Sequence, residues 1–134
     1  MSAHASAARV RVRYAETDKM GVVYYANYLV WFEVARTTWL RDTGWSYREM
    51  EVEGYALPVI AAACDYRQSA RYDDELELRI KVIKQTHVRI DHAYEMLNAA
   101  TRELLCTGES TIACVDRAGQ VQAIPEFLGG KFSI

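Results

Sequence analysis

Hydrophobic and polar positions along the chain change their period after a first strand-like stretch. In residues 9–14, three apolar side chains alternate with three arginines, which predicts a strand with one solvated face. Over residues 28–42, apolar side chains recur every three or four positions, which predicts a helix, and Gly44 is well placed just beyond its end. The first turns of this helix are apolar on almost every side, so we expect other structure to enclose it.

The remainder of the chain has the patterns of strands after one short helix. Ser46, with Glu49 three residues later, predicts the cap of a helix that ends at Gly54. Apolar runs and alternating patterns then predict four strands joined by short turns, at residues 56–66, 76–82, 88–96 and 104–116. A turn at residues 116–119, a brief segment at Val121 and a docking turn at residues 124–132 complete the predicted order.

The order of these elements predicts an α+β fold. Short connections make neighbouring strands antiparallel, and a long apolar helix and one antiparallel sheet must cover each other. We therefore expect a single domain over residues 1–134, in which a curled sheet wraps one long central helix. Residues 1–8 lack the features of a signal peptide and are predicted to be a loose tail. Because a curled sheet leaves its edges open, we expect sheets of two copies to pair.

Composition and charge exclude several classes of protein. Hydrophobic residues make up 51% and charged residues 25% of the chain, as in folded globular domains. The formal net charge of -2 provides no basic face for a nucleic acid, and no apolar run is long enough to span a membrane. The three cysteines are widely spaced, and the histidines show no zinc-ligand spacing with them. We therefore expect reduced thiols in the cytoplasm, with no metal and no cofactor.

Asp18 is the first candidate for chemistry. Aspartate is common in turns and helix caps, and Gly21 follows three residues later, so the residue chemistry alone favours a structural role. The apolar residues that follow predict instead that Asp18 borders a buried or interfacial space, where a carboxylate is costly unless it is used or paired. The helix that begins near residues 24–27 has free N–H groups in its first turn, which can hold a developing negative oxygen. Together the two features allow acyl transfer, in which Asp18 attacks a carbonyl or activates water.

The segment YAETDKMGVVYYANY, with EVAR in the following helix, resembles the signature of hotdog-fold acyl-CoA thioesterases. The resemblance is greatest to the 4-hydroxybenzoyl-CoA thioesterase and YbgC-like group. It extends over residues 9–127, because the element order fits and IPEF resembles the family's ending. It implies a hotdog fold, hydrolysis of an acyl-CoA to the free acid and CoA, and a homodimer or homotetramer with an interfacial site.

The same resemblance implies roles for individual residues. Asp18 matches the catalytic aspartate, acting as nucleophile or general base, and the backbone N–H of Tyr25 matches the group that polarises the thioester carbonyl. Many YbgC-like members have His at the position of Tyr25, whereas an aromatic residue accords with the 4-hydroxybenzoyl-CoA type. We expect substrate contacts from Gly21, Val22, Val23, Tyr24 and Glu33. Basic residues near the turn between two strands contact CoA phosphates in the family, which adds Lys84 and Arg89 as candidates.

Several alternatives stay open at this point. Glu33 and Arg36 have the spacing of an ordinary ion pair within a helix. His92 alternates onto an apolar face, where a hydrogen-bonded core histidine is expected. Thioesters of acyl carrier protein are an alternative substrate, and a non-catalytic acyl-CoA binding module is an alternative role, against which the presence of Asp18 argues. A dehydratase on this fold would need a catalytic histidine, and residues 14–27 contain none.

Overall fold

The computed structural model describes residues 5–125. The predicted long helix and the four strands that follow it are present, after one strand at the start of the chain. The elements in chain order are β1 (Ala5–Arg11), α1 (Ala26–Asp42), α2 (Tyr47–Val52), β2 (Val59–Tyr66), β3 (Glu75–Gln85), β4 (Arg89–Asn98) and β5 (Leu104–Ala113). A single turn of 3-10 helix, Tyr14–Glu16, lies between β1 and α1. The predicted cap of α2 is confirmed, since Ser46 accepts the N–H of Glu49 at 3.2 Å.

The five strands form one antiparallel sheet in the order β1-β3-β4-β5-β2, and α1 packs across its concave face. This confirms the predicted α+β fold with a curled sheet around a long helix. The buried side of α1 packs against alternate residues of the sheet, and the ring of Phe32 stacks on Tyr94 of β4 with centroids 4.1 Å apart. Gly108 of β5 makes this approach feasible, because a Cβ there would collide with Phe32 and lie 2.8 Å from the carbonyl oxygen of Ala63.

The start of the chain differs from the prediction. Residues 5–8, expected to belong to a loose tail, are part of β1 and pair with β3, beginning with Ala5 opposite Lys81. Alanine and serine give almost no amphipathic contrast, so the pairing of their backbone leaves no pattern to detect. The predicted strand at residues 9–14 ends early at Arg11, and Tyr14 is 77% exposed rather than on a buried face.

Strand β2 is an edge strand that remains open in a single chain. Within residues 5–125 the only strand paired with it is β5, and every residue of β2 except Cys64 is exposed. Leu29 and Val30 of α1 are also exposed. The predicted enclosure of α1 is therefore found on its sheet side, while its other side stays open to solvent. An exposed apolar edge of this kind is a template for pairing with another strand.

The three thiols are shielded to different degrees. Cys106 and Cys114 are buried, Cys64 is half-buried, and all three are free. Burial raises the pKa of each thiol above its ordinary value. Among residues 5–125, no helix is both long and apolar enough to cross a membrane. The docking turn predicted at residues 124–132 lies almost entirely outside the described residues.

Candidate active site

Asp18 occupies a tight turn that its own carboxylate helps to hold. The N–H of Asp18 donates to the carbonyl of Val22 at 2.9 Å, and the N–H of Gly21 donates to the carbonyl of Asp18 at 3.0 Å. The carboxylate oxygen Oδ1 accepts the N–H of Met20 at 2.9 Å. Gly21 has φ +79°, a left-handed conformation that only glycine adopts without steric cost. Asp18 thus has the turn role that residue chemistry favoured, while its Oδ2 has no hydrogen bond within residues 5–125.

The start of α1 presents an open donor beside this turn. Tyr25 takes the N-cap position, no side chain caps the helix, and the first turn contains no acidic residue. The N–H of Tyr25 has no acceptor among the described residues. The backbone is nevertheless well fixed, because the carbonyl of Glu16 accepts the N–H of Tyr24 and the side-chain amide of Asn27, each at 2.9 Å. An uncapped but anchored helix start can offer its N–H to a ligand oxygen.

Asp18 and Tyr25 line the same cleft, which has a volume of about 260 Å³. The other lining residues are Val22, Val23, Tyr28, Tyr66, Arg67, Gln68 and Ser69. The two valines contribute apolar surface, and the end of β2 with the segment after it contributes hydroxyl and guanidinium groups. No three His, Cys, Asp or Glu side chains of the described part lie close enough together to hold a metal ion. A carboxylate and a free backbone donor in one cleft are suited to attack on a carbonyl whose oxygen becomes negative.

The structure brings together some of the predicted site residues and separates others. Val22 and Val23 line the cleft, and Gly21 shapes the turn beside it. Tyr24 is exposed, and its ring lies 4.8 Å from that of Tyr25 without lining the cleft. Glu33 lies in a different groove of about 470 Å³.

The two basic candidates lie far from the cleft within one chain. Lys84 is near the end of β3 and Arg89 begins β4, so both flank the β3–β4 turn. The Asp18 turn instead meets the segment just before β3, where Val22 bridges to Arg71. At 3.3 Å per residue, the length of β3 separates the two places by about 30 Å.

The ion pair expected between Glu33 and Arg36 does not form. Arg36 is buried, and its Nη1 donates to the hydroxyl of Tyr94 at 3.0 Å, which in turn bonds to the hydroxyl of Ser110. Glu33 is exposed and lines the same groove as Arg36, but no ion pair joins the two side chains. The side chain of Arg36 is directed toward the sheet, where it donates to Tyr94 of β4 rather than to Glu33.

His92 is buried as predicted, but it is not the hydrogen-bonded core histidine that was expected. Neither ring nitrogen has a hydrogen-bond partner among the described residues. Its ring makes an edge contact with Trp39, with centroids 4.3 Å apart. Burial, and next the charge of Arg36, lower the pKa of His92 to about 3.

Sequence reasoning missed the segment after β2 as part of the site. Tyr66 donates its hydroxyl to the carbonyl of Tyr25 at 3.0 Å, and the hydroxyl of Tyr28 accepts the N–H of Ala70 at 3.0 Å. Ala70 also accepts the N–H of Val23 at 2.9 Å, which ties this segment to the Asp18 loop. The one signal in the sequence is a polar run, Arg-Gln-Ser, directly after an apolar strand. That run predicts a loop but not what lies beside it.

Comparison with known proteins shows a consistent likeness. Residues 12–132 match the model of the thioesterase-like superfamily. The Bacillus subtilis (strain 168) protein YneP is 37% identical over 114 residues, which cover 85% of this chain and 82% of YneP. The acyl-CoA thioester hydrolase YbgC of Escherichia coli O157:H7 is 32% identical over 124 residues, 92% of each chain. The crystal structure of DHNA-CoA thioesterase from Staphylococcus aureus superposes with a TM-score of 0.85 at 35% identity, covering 89% of this chain and 80% of that one.

Proposed function

The chain belongs to the thioesterase-like superfamily and has its hotdog fold; from this premise we propose that it is an acyl-CoA thioesterase in which Asp18 and the Tyr25 N–H are the catalytic groups. Its relatives are named as acyl-CoA thioester hydrolases, which supports hydrolysis of a thioester. The observation that carries the assignment of residues is the cleft itself. A carboxylate with one free oxygen and a backbone donor without an acceptor line the same cavity.

The reaction needs two things that the cleft contains. The thioester carbonyl oxygen would accept the N–H of Tyr25, which stabilises the negative charge that develops on that oxygen. Asp18 would take a proton from water while the water oxygen bonds to the carbonyl carbon. Collapse of the tetrahedral intermediate breaks the C–S bond, and the thiolate takes up a proton to leave as CoA.

Direct attack by Asp18 is the other route through the same atoms. Its Oδ2 would bond to the carbonyl carbon and expel the thiolate, and water would then hydrolyse the mixed anhydride. A single turnover in water labelled with oxygen-18 tests the covalent route. Label in the Asp18 carboxylate would support an anhydride that water opens at the aspartyl carbonyl, whereas label only in the product acid is expected from a general base and also from an anhydride that water opens at the acyl carbonyl.

A panel of acyl-CoA thioesters, assayed with a thiol-detecting reagent, tests the proposal. The panel should contain short aliphatic, long aliphatic and aromatic acyl groups, because the apolar wall of Val22 and Val23 and the surrounding tyrosines can contact each of them. The same acyl groups on acyl carrier protein test the alternative substrate. Wild type should release thiol from at least one member, and Asp18→Ala should release about 1000-fold less. No release by wild type from any thioester would reject the enzyme and favour a binding module.

We further infer that the working unit contains a second copy paired along β2, as a dimer or as a tetramer built from such dimers. The exposed face of this edge carries a single charge, Asp65, in eight residues. Antiparallel pairing of two β2 strands about a two-fold axis places the Val59 end of one copy beside the Tyr66 end of the other. Because Tyr66 lines the cleft, the site then lies at the boundary between two subunits.

This arrangement bears on the candidates that lie apart from Asp18. The groove that contains Glu33 also contains Val59, so the second copy would bring its groove toward the cleft. The β3–β4 turns, with Lys84 and Arg89, lie at the Val59 end of each sheet, so the phosphates of CoA could meet them only across the subunit boundary. Light scattering with Ile60→Lys tests the pairing: wild type should have at least twice the monomer mass, and the variant should be a monomer. A monomeric wild type would refute it.

A further inference from the structure

We propose that Tyr66 is a positioning residue for the thioesterase reaction, because its hydroxyl holds the helix start that presents the Tyr25 N–H to the cleft. The inference rests on the function proposed above. Tyr66 comes from β2, 41 positions from Tyr25, and donates to the Tyr25 carbonyl at 3.0 Å. Its ring meets those of Tyr25 and Tyr28 nearly edge-on, with centroids 6.3 Å and 5.3 Å apart.

The absence of a conventional cap on α1 explains why such a residue is needed. A Ser, Asp or Asn cap fixes a helix start by placing its side-chain oxygen on the first N–H groups. At this helix no side chain does so, and the N–H groups of Asn27 and Tyr28 donate to the carbonyls of Tyr24 and Tyr25 at 2.9 Å and 3.3 Å. Tyr66 fixes the same turn through the carbonyl of Tyr25 instead, so the N–H of that residue stays open. The carbonyl also accepts the N–H of Tyr28 at 3.3 Å, the long first bond of the helix.

The hydroxyl of Tyr66 is suited to this role throughout the pH range of enzyme assays. Partial burial, and next the neighbouring Cys64, raise the pKa of Tyr66 to about 12. The group therefore keeps its proton and remains a donor to the carbonyl. It is correspondingly a poor source of protons for the reaction, which distinguishes positioning from general acid catalysis.

The test is Tyr66→Phe, which removes the hydroxyl and keeps the ring contacts. A displaced oxyanion donor costs rate rather than binding, so kcat should fall about 10-fold to 100-fold with KM changed less than about two-fold. The ratio of wild-type to variant kcat should stay constant from neutral to alkaline pH. The matched control is Tyr72→Phe: Tyr72 is 57% exposed, lies outside the cleft, and its hydroxyl has no hydrogen bond within residues 5–125.

Amide hydrogen exchange supplies a readout that does not depend on activity. The N–H of Tyr28 should exchange faster in Tyr66→Phe than in wild type, because Tyr66 no longer holds the carbonyl of Tyr25 that accepts this N–H, and Tyr72→Phe should leave it unchanged. Unaltered exchange at Tyr28 would overturn the proposal even if wild type hydrolysed no thioester. With an active wild type, equal kcat values, a loss in KM alone, or a kcat ratio that changes at alkaline pH would also overturn it.

Discussion

Two turns in this chain share a sequence pattern and backbone hydrogen bonds but differ in what surrounds them. Both the turn at Asp18 and the turn at Asp116 have aspartate first and glycine fourth. Asp116 donates its N–H to the carbonyl of Gln120 at 2.9 Å and accepts the N–H of Gly119 at 3.0 Å. Its carboxylate oxygen Oδ1 accepts the N–H groups of Ala118 and Gln120, whereas that of Asp18 accepts one.

The second turn lacks everything that makes the first a candidate site. Asp116 connects β5 to a short exposed bridge at Val121, and it lines no cleft with an uncapped helix start. The pattern of aspartate and glycine is therefore sufficient for a turn in both places, but it does not by itself create an active site. At Asp18 the proposed chemistry depends on the neighbours: the start of α1 on one side and the segment at Tyr66 on the other.

Replacement of each aspartate by asparagine should give the largest effect on activity, and it distinguishes a catalytic role of the side chain from a role in the turn. Asparagine keeps an oxygen that can accept the turn N–H but removes the charge and the basic oxygen. Asp18→Asn should lower kcat about 1000-fold, the range for loss of a general base or nucleophile. Asp116→Asn should leave kcat within about two-fold of wild type. Both variants should unfold in urea within about 0.5 kcal/mol of wild type. Equal losses of activity in the two variants would show that Asp18 has no chemical role beyond that of Asp116.

A loss of activity in acid can be assigned to Asp18 only at pH values where the protein is folded. The pKa of His92 is about 3 in the folded protein against an ordinary value of 6.5. Below pH 6.5 the unfolded chain therefore binds a proton that the folded protein does not. This contribution to stability is complete above that pH and is lost as pH falls. Between pH 8 and pH 5 it amounts to about 2 kcal/mol.

Urea unfolding across this pH range checks the effect, with His92→Leu as the comparison. The variant should lose less stability than wild type between pH 8 and pH 5, by about the amount given above. Glu77, whose pKa its hydrogen bond to Arg102 lowers to about 2, acts in the same direction at pH values below about 4.5. Parallel curves for wild type and variant would show that His92 does not couple to folding.

Replacement of the two turn glycines by alanine should have the smallest effect. The two positions are closely matched, so each serves as a control for the other. Gly21 and Gly119 have φ of +79° and +82°, and a Cβ at either position would meet no atom within 4 Å. Alanine should cost each turn about 1 kcal/mol, since only the backbone conformation is penalised. Activity should fall about 10-fold in Gly21→Ala alone, because a small shift of Asp18 misaligns it with the Tyr25 N–H. If Gly119→Ala lowered kcat equally, the loss would reflect stability rather than the site.

Much of the fold could be predicted from the sequence because strong periodic patterns mark it. Helix α1 has a sustained three- and four-residue period, and Ser46 with Glu49 marks the start of α2. The sequence pattern places the start of β1 at residue 9, whereas the strand begins at Ala5. Ala5 and its neighbours pair through the backbone and show no amphipathic contrast. The spacing of Arg36 from Glu33 predicts an ion pair within the helix. The sequence alone does not show that Arg36 packs against the sheet, where it donates to the hydroxyl of Tyr94.

Only the part of the candidate site that is contiguous in sequence could be predicted. Asp18, the apolar loop and the helix start lie within ten residues, and both residue chemistry and family resemblance point to them. Tyr66 enters the cleft because β2 pairs with β5 and curls toward the helix start, which depends on strand order. A linear sequence gives no direct sign of such a contact.

The shielded cysteines determine what a colorimetric assay of this protein will report. Thiolates, not thiols, attack aromatic disulfide reagents. The raised pKa values keep Cys64, Cys106 and Cys114 protonated, and Cys106 and Cys114 are also enclosed. The folded protein should add little background while CoA is released. Denaturant added afterwards would expose three thiols per chain. One sample can therefore give the turnover of each variant and then an internal count of the protein that produced it.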